Sequence, residues 1–154
     1  MPSGSWSGRH RGKTTAPPTS NLKEQLAVLS KETAVPHAME HDMSTKMQEC
    51  IRNCSDCHNT CVQAIGYCLQ KGGRHAEPAH LKSLMDCADT CRTNADFMLR
   101  GSALYTKACG LCAEACTRCA ESCEQFADGA EMKACAELCR RCAATCLEMA
   151  DMRM

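Results

Sequence analysis

The side chains able to do chemistry in this chain are overwhelmingly sulfur. Among 154 residues there are 16 cysteines and 10 methionines, whereas aromatic residues make up 3 %. The cysteines come in regular runs. Cys50, Cys54, Cys57, Cys61 and Cys68 follow one another at steps of 4, 3, 4 and 7. Cys109, Cys112, Cys116, Cys119 and Cys123 step by 3, 4, 3 and 4, and Cys135, Cys139, Cys142 and Cys146 by 4, 3 and 4. Cys87 and Cys91 form a shorter pair between them. Steps alternating between three and four put each run on one helical face, the a/d seam of a bundle. A lone cysteine often serves as a small buried hydrophobe, but its reactivity usually decides whether it is kept. Leucine would pack these seams better and would not oxidise, so sixteen thiols on four seams read as ligands.

Disulfides fit such seams poorly. Packed helices lie ~8–10 Å apart axis to axis, whereas a bridge needs Cα atoms within ~7 Å and converging Cβ vectors. Cysteines at i and i+4 point the same way and are better placed to grip a shared ion. Thiolates select soft or borderline metals: Cu(I), Zn(II) or iron–sulfur clusters. Burying uncompensated charge is costly, and zinc held by four thiolates keeps a double negative charge. Cu(I) ions bridged by thiolates approach one metal per sulfur and a neutral core. A continuous ladder of thiols therefore favours multiple Cu(I) ions per chain over isolated tetrahedra. Iron–sulfur ligand runs such as C-x2-C-x2-C-x3-C-P are absent, and the C-x2-C pairs Cys54–Cys57 and Cys109–Cys112 are parts of longer heptads.

Four elements must carry these seams. The first is expected from about Ala38 to Lys71, stopped by Gly72-Gly73. The second opens at Pro78 and ends at Arg100 before Gly101. Ser102 is the expected cap of a third helix running to about Ala127, and Asp128-Gly129 turns the chain into a fourth that ends near Met152. Short connections make neighbouring helices antiparallel, giving an all-α, up-down-up-down four-helix bundle over residues 36–154. Glu49, Arg52, Asp56, Glu114, Arg118, Glu121, Glu137 and Arg140 fall on the solvent side. Ala113, Ala115, Ala120, Ala136 and Ala143 flank the seam and admit close helix approach. Ahead of the bundle, residues 1–20 read as a disordered tail rich in Gly, Ser, Thr and Pro. Residues 21–35 read as a short N-terminal helix, with Asn21 and Glu24 as a capping box and Leu22, Leu26 and Leu29 on one face.

The threading brings different donors to the two ends. Met43, Met47, Met98, Tyr105 and Met149 meet at one, with His37, Met39, His41 and Met152 just outside. Thioethers are soft, neutral ligands for Cu(I), so Met43, Met47 and Met98 are candidate ligands where incoming copper is admitted; flexible core filling is the alternative. The other end carries Cys68, His75, His80, Cys123 and Cys135. His80 continues the second seam through Leu84, Cys87, Cys91, Asn94 and Met98, and is the candidate ligand there. His58 is expected to face out. Asn94, inward among thiols, is expected to bond either a sulfur or a backbone group.

Lys and Arg together number 18, as do Asp and Glu, giving no net charge. Without a basic stripe or aromatic interleaving, a nucleic-acid partner is not expected. No stretch reaches the length and apolarity of a membrane span, and the N-terminus lacks the apolar core of an export signal. The expected compartment is therefore the reducing cytoplasm, where thiols stay reduced. No constellation of base, nucleophile and oxyanion donors marks an enzyme. Other functions in view are a zinc or general thiol-metal buffer, an iron–sulfur electron carrier, and a copper chaperone with one or two exposed sites.

The C-x3-C-x2-C-x3-C runs at Cys50–Cys61 and Cys135–Cys146, with the longer ladder Cys109–Cys123, resemble the bacterial copper storage proteins, in particular their cytosolic branch. The resemblance spans roughly residues 38–152. It implies a homotetramer of four-helix bundles, each storing numerous Cu(I) ions through paired cysteines; a copper chaperone or exporter is a candidate further partner. The second helix, with two cysteines, and the methionine-rich end depart from a uniform pattern and leave open which end admits copper.

Overall fold

The stop signals read at Gly72-Gly73 and at Gly101 each close a helix in the computed structural model, which describes residues 23, 37–126 and 129–152 and the side chains from residue 42 onward within the bundle. Four helices follow in order: α1 (His37–Lys71), α2 (Pro78–Leu99), α3 (Tyr105–Glu124) and α4 (Ala130–Asp151), with no strand among the described residues. The tail over 1–20 and, apart from Lys23, the short helix over 21–35 lie outside the described residues.

The connections explain the sharp reversals. α1 ends where the Gly72 N–H donates to the Cys68 carbonyl. Gly72 and Gly73 then both take positive φ (70° and 56°), a region L side chains rarely adopt. A 3₁₀ turn over Gly73–Ala76 follows, and Pro78 opens α2, where its missing N–H costs nothing. α2 closes in a Schellman arrangement: Gly101 has φ 63°, its N–H reaches Met98 O, and the Ser102 N–H reaches Phe97 O. α3 starts later than a cap at Ser102 would put it. The Ser102 hydroxyl instead accepts from the Leu104 N–H, because the residues after Gly101 are still completing the turn. α3 also ends at Glu124 rather than near Ala127.

The core is built from sulfur and small residues. All sixteen cysteines are buried, with Leu84, Met98, Tyr105, Met132 and Met149 among the larger side chains beside them. The five flanking alanines are buried as well, and the eight charged residues assigned to the solvent side are exposed. With little β-branched or aromatic bulk on the seams, four helices can close around a narrow column of thiols. The packing is thus organised around thiol–thiol contact.

Candidate metal centre

Each helix delivers its thiols to that column, and the sulfurs meet across helices. Cys50 and Cys54 of α1 each lie 3.6 Å from Cys146 of α4. Cys57 is 3.6 Å from Cys87 and 3.7 Å from Cys139. Cys91 and Cys116 approach to 3.4 Å, and Cys61 lies 4.0 Å from Cys119 and 3.9 Å from Cys135. All sixteen are free thiols. Four sets of four have all their sulfurs within 4.8 Å of one another: Cys54, Cys112, Cys142 and Cys146; Cys57, Cys61, Cys87 and Cys139; Cys57, Cys91, Cys116 and Cys142; Cys61, Cys119, Cys135 and Cys139. Cys57, Cys61, Cys139 and Cys142 each belong to two sets, so the sets interlock into one ladder. Cys50, Cys68, Cys109 and Cys123 stand outside them, at the ladder's ends.

Crowded thiols share ionisation unevenly. Cys57, Cys87 and Cys112 are held below the usual thiol range, in each case first by a hydrogen bond with Cys116. Cys116 itself is pushed up, first by Cys112. A thiolate in such a crowd is stabilised by neighbours that keep their protons, and each proton released makes the next harder to remove. A monovalent soft cation per thiolate removes that penalty, since every negative charge gained is matched.

The two ends differ from the ladder and from each other. Asn94 of α2 is 1 % exposed; its amide nitrogen donates to Cys54 and Cys146 at 3.4 Å, and its carbonyl oxygen accepts from Cys109 at 3.2 Å. Of the two roles open to Asn94 in the sequence, sulfur bonding is the one realised. Met98 Sδ lies 3.9 Å from the same Cys109 sulfur, a longer alternative acceptor for its one proton. Met47 packs half-buried against the core, and Met43, one turn earlier on α1, is partly buried. Tyr105 and Met149 are buried, while the side chains of His37, Met39 and His41 lie outside those described.

At the opposite end Cys68 touches no other thiol within hydrogen-bonding range. Its sulfur faces His80 Nε2 at 3.5 Å, His75 Nδ1 at 3.9 Å and Met132 Sδ at 3.8 Å. Burial and the nearby Cys135 and Cys119 push the Cys68 thiol up. Burial, then His75, lowers His80. His58 is half-buried rather than fully outward, with Nδ1 2.9 Å from the Ala88 carbonyl oxygen, and ties α1 to α2 away from the column. Sequence reasoning misses Met132 as a site residue, although it stands three residues before Cys135 and so continues the α4 seam.

Comparison with known proteins places this geometry. Residues 43–151 match the copper storage protein family. The chain is similar to a Nitrosospira multiformis protein of known crystal structure at 45 % identity, covering 71 % of this chain and 99 % of that one, with TM-score 0.68. It is also similar to a Cu(I)-bound copper storage protein of Bacillus subtilis, at 30 % identity over 68 % of this chain and 98 % of that one, TM-score 0.65. A cytosolic copper storage protein from Streptomyces lividans, with five coppers, shows 26 % identity over 71 % and 96 %, TM-score 0.62. No curated protein matches. No helix among the described residues is long and apolar enough to cross a membrane. The chain belongs to the copper storage protein family, and its function is the storage and buffering of Cu(I) on cysteine thiolates of the bundle core.

Proposed function

We propose that the stored ions are held by Cys50, Cys54, Cys57, Cys61, Cys68, Cys87, Cys91, Cys109, Cys112, Cys116, Cys119, Cys123, Cys135, Cys139, Cys142 and Cys146 together. The interlocking of four-thiol sets carries this reading, because a thiol shared between two sets is placed to bridge two ions. Bridging brings the metal count towards the thiol count and the core towards neutrality. Met43, Met47 and Met98 supply neutral thioether donors where copper is taken in, and His80 is a ligand at the far end. The reading assigns the chain no reaction of its own.

Support for wider assembly comes from the outer surface. Leu104 (52 % exposed) and Leu111 (61 % exposed) are apolar side chains left open to solvent beside α2 and α3, and a homotetramer would cover such positions. The Streptomyces lividans relative is a cytosolic copper storage protein. That likeness supports a cytoplasmic role for this chain too; a chaperone that delivers copper or an exporter that receives it is the partner such a role would take. A solution mass well below four chains would remove the assembly part of this reading.

The deciding measurement is an anaerobic Cu(I) titration of the fully reduced protein against a chromophoric chelator. Withholding approaching one ion per thiol, of the 16 present, is the expected result. Saturation at a few ions, with effective competition from Zn(II), would instead establish a zinc or general thiol-metal buffer.

A further inference from the structure

The thiol seam of α3 opens on a phenol. Tyr105 is the first residue of α3 and stands one turn before Cys109, the outermost α3 thiol. It is 4 % exposed and belongs to the same core as Met98 and Met149. Its hydroxyl is enclosed and has no hydrogen-bond partner among the described residues. A buried O–H in that position has given up its bonds to water and gained none, whereas phenylalanine would fill the same space without the loss. Such a group calls for an acceptor that another state of the protein supplies.

The thiols next to it identify that acceptor. The Cys109 S–H points at Asn94 Oδ1, 3.2 Å away, and the Asn94 amide nitrogen donates to Cys54 and Cys146 at 3.4 Å. Cys50 lies 3.6 Å from Cys146 and closes the tier. Without metal the bonds of Asn94 are complete: its oxygen holds the Cys109 proton, and both of its N–H groups are in use. Copper changes the count. When Cu(I) binds Cys109 it takes the place of the thiol proton, which leaves for solvent, and ion and thiolate together are neutral. Cys109 then no longer donates. Its sulfur carries the negative end of a metal–thiolate bond, beside an amide oxygen that also offers only lone pairs. The tier is short of a donor, and Asn94 has none left.

Tyr105 carries that donor. Residues four apart on a helix are neighbours on one face. Helical side chains lean towards the N-terminus, which carries the Cys109 sulfur over the turn that Tyr105 begins. A hydrogen bond to an ionised acceptor is stronger than one between neutral groups.

We propose that Tyr105 is a positioning residue of the loaded bundle. Its hydroxyl donates to the Cys109 thiolate once copper has displaced the thiol proton, and so sets how tightly the outermost ion at the methionine end is held. The phenol keeps its own proton and does not bind the metal. The inference rests on the reading that the column takes up Cu(I), and its test separates the two.

The experiment compares the full-length reduced protein with Tyr105→Phe, both apo and copper-filled, under anaerobic conditions. A carbon-13 label at tyrosine Cζ reports on the hydroxyl, and the variant identifies the Tyr105 resonance by losing it. In the parent that resonance moves downfield on filling. The apo variant unfolds at equal or higher urea than the parent, since it loses only an unpaired group. The filled variant binds as many ions, yet holds one of them about tenfold more weakly against a competing chelator. A Tyr105 resonance that stays in place on filling, or a variant that holds every ion as the parent does, overturns the role. So does equal destabilisation of apo and filled variant, which would make Tyr105 a packing residue. A capacity lower by one ion overturns it too, by making Tyr105 a ligand. A parent that binds no more than a few ions overturns the storage reading itself, whatever the phenol does.

Discussion

The two ends of the bundle solve one problem in different ways. In the middle of the column each thiol is satisfied by other thiols, 3.4–4.0 Å away. At either end the thiols run out, because α2 carries only Cys87 and Cys91 and places other residues on the outer turns of its seam. Towards the methionine end α2 supplies Asn94 and Met98, and the last thiols are met by a neutral amide that both donates and accepts. Towards the histidine end it supplies Leu84 and His80, and the last α1 thiol is met by lone pairs. An amide completes a hydrogen-bond network without metal. A ring of lone pairs around one thiol is completed by a cation. The difference predicts that the methionine end is already ordered in the apo protein and that the histidine end gains order on loading.

The broadest way to erase the contrast is to fill the whole column with copper. Ligands that bind only the folded state stabilise it by mass action, about 4 kcal/mol at a thousandfold excess over Kd for one site. For a chain of this size that corresponds to a rise in Tm of roughly 10 °C, and several sites add to it. Calorimetry of apo and loaded protein under anaerobic conditions measures the shift. An unchanged Tm would mean that copper sits outside the core.

A narrower test removes the amide. Asn94→Ala leaves Cys54, Cys109 and Cys146 without their common partner in a place closed to water. Losing a buried hydrogen-bonding group of this kind costs about 1–3 kcal/mol, so the apo protein should unfold at lower urea with little change in slope. Copper should largely offset the loss, since the freed thiols can then be satisfied by metal. Equal destabilisation of apo and loaded protein would show that Asn94 acts by packing alone.

How far these features can be read from the sequence follows from what sets them. The seams are legible because steps of three and four convert directly into a helical face, and the buried cysteines and exposed charges follow that face without exception. Glycine marks the ends of α1 and α2, and proline the start of α2, because those residues act locally. Asn94 is legible as inward, but its three sulfur partners belong to three other helices and depend on their relative heights. His75 is legible at the correct end but not as a neighbour of Cys68, since periodicity ends at Gly72 and two left-handed residues decide where the chain goes next. Met132 continues the α4 seam in plain view. Methionine also fills apolar cores, so its thioether gains meaning only beside a thiol and two imidazoles.

The smallest expected effect falls on the methionine end and bears on its role in uptake. Met98→Leu nearly conserves volume and shape, so the fold should change by less than about 1.5 kcal/mol. Met98 Sδ lies 3.9 Å from Cys109, the outermost α3 thiol, and the substitution removes a soft donor without touching any thiol. Capacity should therefore stay at the parent's value while the rate of Cu(I) uptake falls, read by stopped-flow transfer from a coloured chelator. The variant His75→Ala, at the other end, should instead lower capacity. If Met98→Leu slows nothing and His75→Ala slows uptake, the roles of the two ends are reversed. Copper would then be admitted past the imidazoles, and the methionine end, sealed by Asn94, would be the floor of the column.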